Sequence, residues 1–218
     1  MLTLYQYLHC PYCVRADMVA NYMDVEHKKV YLLNDDEETC FRLIDAKMVP
    51  ILEFDDGSAM GESLDIAKKF EELGAAGKKM LPANEYERYT SALDAVYDDI
   101  SALLYPRNIM IEQPEFNTQS AKDYFQKKKE KSLGMSFEDA MNNTDKHRKA
   151  VEEALGSMPV PPLPRQQMNQ LGWNDVHLFP TLRNLTMVKD LAIPSELEQY
   201  IGNVASLTKV KLYTDVAV

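Results

Sequence analysis

A chain of 218 residues, 45% apolar and 27% charged, can bury one large core or two small ones, and its composition leaves no case for global disorder. Asp and Glu total 34 against 24 Lys and Arg, a formal charge of -10 that repels phosphate backbones and argues against nucleic acid as a general partner. Three cysteines, two of them three positions apart, are not the disulfide framework of a secreted mini-domain but the usage of a reducing compartment.

Residues 1–8 lack the basic start and long apolar stretch of a signal peptide, and no apolar run approaches the ~20 residues needed to span a bilayer. A soluble, cytoplasmic protein with no membrane partner is the expectation.

Residues 2–7 alternate in a Leu- and Tyr-rich run, which predicts a strand. His9-Cys10-Pro11-Tyr12-Cys13 follows, and then Val14, Met18, Val19 and Tyr22 recur at helical spacing, with Pro11 suited to the first turn. A second strand is predicted over 27–33 and a helix over 35–44, where Asp35, Asp36, Glu37 and Glu38 complement the helix dipole. Residues 48–54 begin a third strand, Asp56-Gly57 signals a tight turn, and a fourth strand follows near 59–61. Ser63 is placed as the cap of a helix running to about residue 73. The order is β-α-β-α-β-β-α, a small mixed sheet with helices on it.

Residues 74–84, opening on Gly74-Ala75-Ala76-Gly77, read as a linker. Beyond them helical patterns cover 85–105, 117–131, 136–155, 175–189 and 195–209, interrupted by Pro159-Val160-Pro161-Pro162-Leu163-Pro164. The predicted organisation is a thioredoxin-like α/β domain over 1–73, the linker over 74–84 and an all-helical domain over 85–218. Lys127, Lys128, Lys129 and Lys131 form a short basic run on so acidic a chain, and read as a solvated helix face.

The position of the Cys-Pro-Tyr-Cys sequence carries the chemistry. Between a first strand and a first helix, Cys10 occupies the helix N-cap, where unpartnered backbone N–H groups and the positive end of the dipole favour a thiolate. Cys13, one turn inside, faces the first sulfur at disulfide distance but further from water. Cys10 is therefore the attacking nucleophile and Cys13 the resolving thiol. Half of a zinc site is the rival reading, but only Cys40 and the scattered His9, His27, His147 and His177 remain as ligands. Inert core cysteines are a second rival, and a single nucleophile served by a distant His is a third. Cys40, alone in the second helix, reads as core.

These residues resemble the glutaredoxins, whose active-site sequence matches His9-Cys10-Pro11-Tyr12-Cys13. Met48-Val49-Pro50 matches that family's Val-Pro, and Glu62-Ser63 matches its acidic-Ser pair, which is shared with glutathione transferases, as is the helical second half. The combination is most similar to the bacterial glutaredoxin 2 family, two-domain glutaredoxins on a transferase-like scaffold. Segments 32–36, 47–52 and 178–186 carry the likeness beyond the motif.

The resemblance implies a cis Pro50 lying against the cysteines. It also implies that glutathione is held by Pro11, Tyr12, Met48, Val49, Pro50, Glu62 and Ser63, with Lys47 a weaker candidate for the glycyl carboxylate. The implied activity is glutathione-dependent reduction of protein disulfides and protein–glutathione mixed disulfides, without a metal. Conjugation of glutathione to electrophiles, as in a transferase, is the alternative. Gly172 stands where transferases often carry Ser or Thr three positions before a helix-capping Asp, so only half of that capping box is expected at Asp175.

Overall fold

Strand β1 (Leu2–Gln6) buries Leu4 and Gln6 and leaves Thr3 and Tyr5 half-covered, the alternation a sheet with one buried face requires. The computed structural model describes residues 1–218. Pro11 opens α1 (Pro11–Tyr22), and β2 (His27–Tyr31) returns parallel to β1 through that crossover. The Asp36 carboxylate caps α2 (Glu37–Ile44) by accepting the Thr39 N–H at 2.9 Å, with Glu37 and Glu38 in the first turn.

β3 (Ile51–Glu53) runs antiparallel to β1, and β4 (Ala59–Met60) antiparallel to β3, giving the sheet order β2-β1-β3-β4. The β3–β4 turn is the expected one: Gly57 adopts φ +83°, and Phe54 N–H donates to the Ser58 carbonyl at 2.8 Å. β3 starts at Ile51 rather than Met48, because Pro50 brings no N–H to the ladder.

α3 (Ser63–Leu73) completes the predicted order, with one correction. Ser63 is the first helical residue rather than the cap; Glu62 holds the cap position at φ +65°, and its carbonyl accepts the first intrahelical bond, from Ile66 N–H at 2.9 Å.

Ten α-helices in all are present. Those of the second half are α4 (Glu87–Asp94), α5 (Tyr97–Asn108), α6 (Gln119–Leu133), α7 (Phe137–Asn142), α8 (Thr144–Ser157), α9 (Trp173–Leu185) and α10 (Ser195–Thr208). Two predicted long helices are each broken once. Val96 leaves helical geometry at φ -115°, ψ 27° between α4 and α5, and Asn143 does so at φ -99°, ψ 15° between α7 and α8. At α9 the half-box is as expected: Gly172 N–H donates to Asp175 Oδ2 at 2.7 Å, with no side chain to reciprocate.

Two compact units divide the chain, but not at a single point. The first gathers residues 1–80, 112–125 and 208–210; the second gathers 81–111, 126–207 and 211–218. Residues 74–80 join the first unit because Ala75 N–H donates to the Met23 carbonyl at 3.0 Å and the Lys78 ammonium reaches the Tyr22 carbonyl at 2.6 Å. Residues 112–125 join it because Asn34 N–H donates to the Glu115 carbonyl at 2.9 Å, and Phe116 and Phe125 pack on the His9 ring. Leu4, Met18, Val19, Ile51, Ile66 and Phe70 centre the core of the first unit; Leu103, Leu155, Phe179 and Tyr200 centre that of the second. No helix is long and apolar enough to cross a membrane.

Candidate active site

Antiparallel pairing of β1 with β3 and of β3 with β4 brings three chain segments to one end of the sheet. They are the exit of β1 into Cys10, the entry to β3 at Val49-Pro50, and the exit of β4 into Glu62-Ser63. The residues singled out from the sequence thus share one edge although they span more than fifty positions.

Cys10 is the N-cap of α1 at φ -73°, ψ 118°, and its carbonyl accepts the Val14 N–H at 3.1 Å. No disulfide joins Cys10 and Cys13. Cys10 is less open than the sequence suggests, 9% exposed against 0% for Cys13, because it joins a buried cluster with Tyr7, Cys13, Leu32, Cys40 and Ile51.

The two thiols are electrostatically unlike. A hydrogen bond from the Cys13 thiol brings Cys10 down to about 7, against the opposing cost of burial, helped by a positive charge on His9 and by the N–H groups of Cys13 and Tyr12. Cys13 moves the other way: burial, its hydrogen bond to Cys10 and the negative charge there push its thiol well above the usual range. The Tyr7 N–H donates to Cys13 Sγ at 3.4 Å but does not reverse that order. Cys40 is fully buried in the same cluster, and burial raises its thiol too, so it stays a protonated core residue.

Tyr12 stands 53% exposed beside the pair, with the Arg15 guanidinium 5.0 Å from its ring centroid. The Val49–Pro50 peptide bond is cis, and Val49 packs against the cysteine cluster while its backbone N–H and C=O have no partner in the chain. Glu62 is exposed; Ser63 is buried at the first position of α3, with no partner for its hydroxyl and the helix's first N–H groups beside it. The Met48 side chain packs beside Gly61, joining the two segments: a methyl group at Gly61 meets Met48 Sδ at 3.6 Å. Lys47 is engaged within the fold, donating to the Tyr7 hydroxyl and the Asp36 carbonyl, both at 2.9 Å. No group of three or more His, Cys, Asp or Glu side chains comes together to hold a metal.

One residue of this site carries no signal in the sequence. Glu115 reaches His9 from 106 positions away, and nothing local to Gln113-Pro114-Glu115 marks it.

Comparison with known proteins gives two family matches: "Glutaredoxin 2, C terminal domain" over residues 90–217 and "Glutathione S-transferase, N-terminal domain" over residues 4–78. Glutaredoxin 2 of Escherichia coli K12 is 35% identical over 218 residues, all of both chains. The crystal structure of glutaredoxin 2 from Salmonella typhimurium, in complex with glutathione, superposes with a TM-score of 0.91 at 34% identity, covering 100% of this chain and 99% of that one. A glutathione S-transferase of Ceriporiopsis subvermispora, with a TM-score of 0.64 at 13% identity over 97% and 98% of the two chains, shares the fold.

Proposed function

This chain belongs to the glutaredoxin 2 family, and from that membership we propose that it is a glutathione-dependent thiol–disulfide oxidoreductase worked by Cys10 and Cys13. The observation that carries the reading is the unequal placement of the two thiols: Cys10 at the N-cap of α1 and 9% exposed, Cys13 one turn inside and fully buried, an arrangement that brings Cys10 down to about 7 and pushes Cys13 up. A thiolate near neutrality is the attacking species in disulfide exchange, and a protonated partner one turn inside waits to resolve.

With a protein–glutathione mixed disulfide, the Cys10 thiolate attacks the glutathione sulfur. A Cys10–glutathione disulfide forms, the protein sulfur leaves as a thiolate and takes a proton. A second glutathione thiolate attacks the bound glutathione sulfur, yielding glutathione disulfide and restoring the Cys10 thiolate. One free glutathione thiol is oxidised for each mixed disulfide reduced, the other half of the glutathione disulfide coming from the substrate, and Cys13 takes no part. With a protein disulfide, Cys10 forms the mixed disulfide and Cys13, giving up its proton, displaces the substrate thiol by closing the Cys10–Cys13 bond.

Glutathione takes an extended course along the sheet edge. The unpartnered N–H and C=O of Val49 pair with its cysteinyl backbone, as an added strand does. The Ser63 hydroxyl and the first N–H groups of α3 receive the γ-glutamyl carboxylate, and Glu62 the α-ammonium. Pro11, Tyr12, Met48 and Pro50 line the course. The substrates are disulfide-containing and glutathionylated proteins, and three unpaired thiols fit the reducing cytoplasm.

Purified wild type, Cys10→Ser and Cys13→Ser are to be assayed on a glutathionylated protein and on a model aromatic electrophile. Wild type and Cys13→Ser release the protein thiol; Cys10→Ser does not. Equal loss in both variants refutes the assigned roles, and conjugation outrunning thiol exchange makes the chain a transferase.

A further inference from the structure

Burying a carboxylate costs several kcal/mol unless its charge is met, and Glu115 is fully buried within the first unit. Its Oε1 accepts twice from one residue: from the His9 backbone N–H at 2.9 Å and from the His9 ring at Nδ1, 2.6 Å away. Its Oε2 has no partner. Burial pushes the Glu115 carboxyl up, but the hydrogen bonds and charge of His9 outweigh burial and hold it below the usual range. The carboxylate is therefore the acceptor and Nδ1 carries the proton.

The His9 ring cannot drift. It stacks 5.7 Å from Tyr7 with planes 7° apart and 5.0 Å from Phe116, and it meets the edge of Phe125 at 5.3 Å. The acid itself is tied by its carbonyl to Asn34 N–H at 2.9 Å. An acid with so much fixing it is directed at the one residue that precedes the nucleophile.

We propose that Glu115 is a positioning residue for the disulfide chemistry, clamping His9 at the start of α1 so that the pair keeps the roles of Cys10 and Cys13 apart. This deepens the oxidoreductase reading and rests on it. A positive charge on His9 supports a thiolate at Cys10, while the negative charge of Glu115 opposes one at Cys13. Other ionisable groups near the sulfurs include Tyr7 just beyond β1, Cys40 of α2, Tyr124 of α6 and Lys47. Burial holds the protons of Tyr7 and Cys40, a hydrogen bond to Glu37 holds that of Tyr124, and the Lys47 ammonium is engaged by Tyr7 and Asp36.

The test is thiolate absorbance against pH for the reduced wild type and Glu115→Gln, which keeps the shape and removes the charge, beside pH profiles of kcat/KM on a glutathionylated protein. The Cys10 midpoint is expected to rise by on the order of half a pH unit or more in Glu115→Gln, while the later Cys13 step moves down. The kcat/KM of the variant falls several-fold near the wild-type midpoint and rejoins wild type above its own, which a merely structural loss does not do. Superimposable titration curves overturn the proposal. Should near-UV circular dichroism show Glu115→Gln unfolded, His9→Asn takes its place; the same rise at Cys10 supports the proposal and an unchanged midpoint overturns it. Wild type that turns over no disulfide, with the titration difference intact, sinks the oxidoreductase reading instead.

Discussion

The backbone N–H of Tyr7 and the sulfur of Cys13 lie 3.4 Å apart, so the exit of β1 donates to the inner thiol of the pair. That contact favours a Cys13 anion, yet burial and the charge on Cys10 keep the proton on. The retained proton is what Cys13 offers Cys10, and it is the largest contribution to bringing Cys10 down. Removing the donor is therefore expected to be felt at Cys10. In Cys13→Ala the midpoint of the Cys10 thiolate absorbance moves up from about 7; in Cys13→Ser, whose hydroxyl also donates, it moves less. A midpoint in Cys13→Ala equal to that of wild type means that the helix terminus and His9 set the acidity without Cys13.

The role proposed for Ser63 allows binding to be tested apart from chemistry. Its hydroxyl, unpartnered in the fold, faces neither cysteine's hydrogen bonds nor the helix cap, which Glu62 supplies. Deleting one hydrogen bond to a charged carboxylate costs about 1.5–3 kcal/mol, a factor of roughly ten or more in affinity. Ser63→Ala is expected to raise the KM for glutathione by that order while the Cys10 midpoint stays where it is. A fall in kcat with KM unmoved takes the γ-glutamyl group elsewhere.

The seven elements of residues 1–73 were legible because each is signalled within a few residues: alternation in β1, acidic caps before α2, Asp56-Gly57 between β3 and β4. Cys10 and Cys13 were legible for the same reason, as a short motif at a strand–helix junction. Glu115 was not, since pairing it with His9 requires the fold to return a segment from 106 positions on, and a Glu after a Pro looks like any surface acid. The breaks at Val96 and Asn143 were missed because one residue leaving helical geometry does not disturb the apolar period on either side. Recruitment of 112–125 to the first unit was hidden likewise, its determinants being tertiary.

Gly74, which opens the expected linker, is a site of close approach. Its φ of -61° suits any residue, so backbone freedom is not the reason for glycine there. A Cβ at that position would stand 2.1 Å from the Met23 Cε and 3.0 Å from its Cβ. The first clash is relieved by moving a flexible thioether, the second only by shifting the C-terminus of α1. Overpacking of this kind costs about 1–3 kcal/mol. Gly74→Ala is expected to lower the denaturant midpoint accordingly with the thiol titration unchanged, and a midpoint equal to wild type means that Met23 repacks without loss.

Asp175 ties α9 to α10 within the second unit: Oδ2 takes the Gly172 N–H and Oδ1 the Tyr200 hydroxyl, each at 2.7 Å, with Tyr200 fully buried. Asp175→Ala leaves both donors without an acceptor, at an expected cost of about 2–5 kcal/mol. Asp175→Asn keeps one acceptor oxygen and is expected to lose less. The pH dependence has a definite sign. Burial raises this carboxyl in the fold, more than its hydrogen bonds lower it. As pH climbs past the ordinary Asp range, the unfolded chain ionises first while the folded one keeps its proton, and the wild type sheds stability until the folded group ionises too. The amide has no such loss, so the deficit of Asp175→Asn relative to wild type is widest in acid and narrows toward neutrality. Denaturant melts at a series of pH values decide it, and a deficit that grows with pH would show that the folded carboxylate is favoured after all.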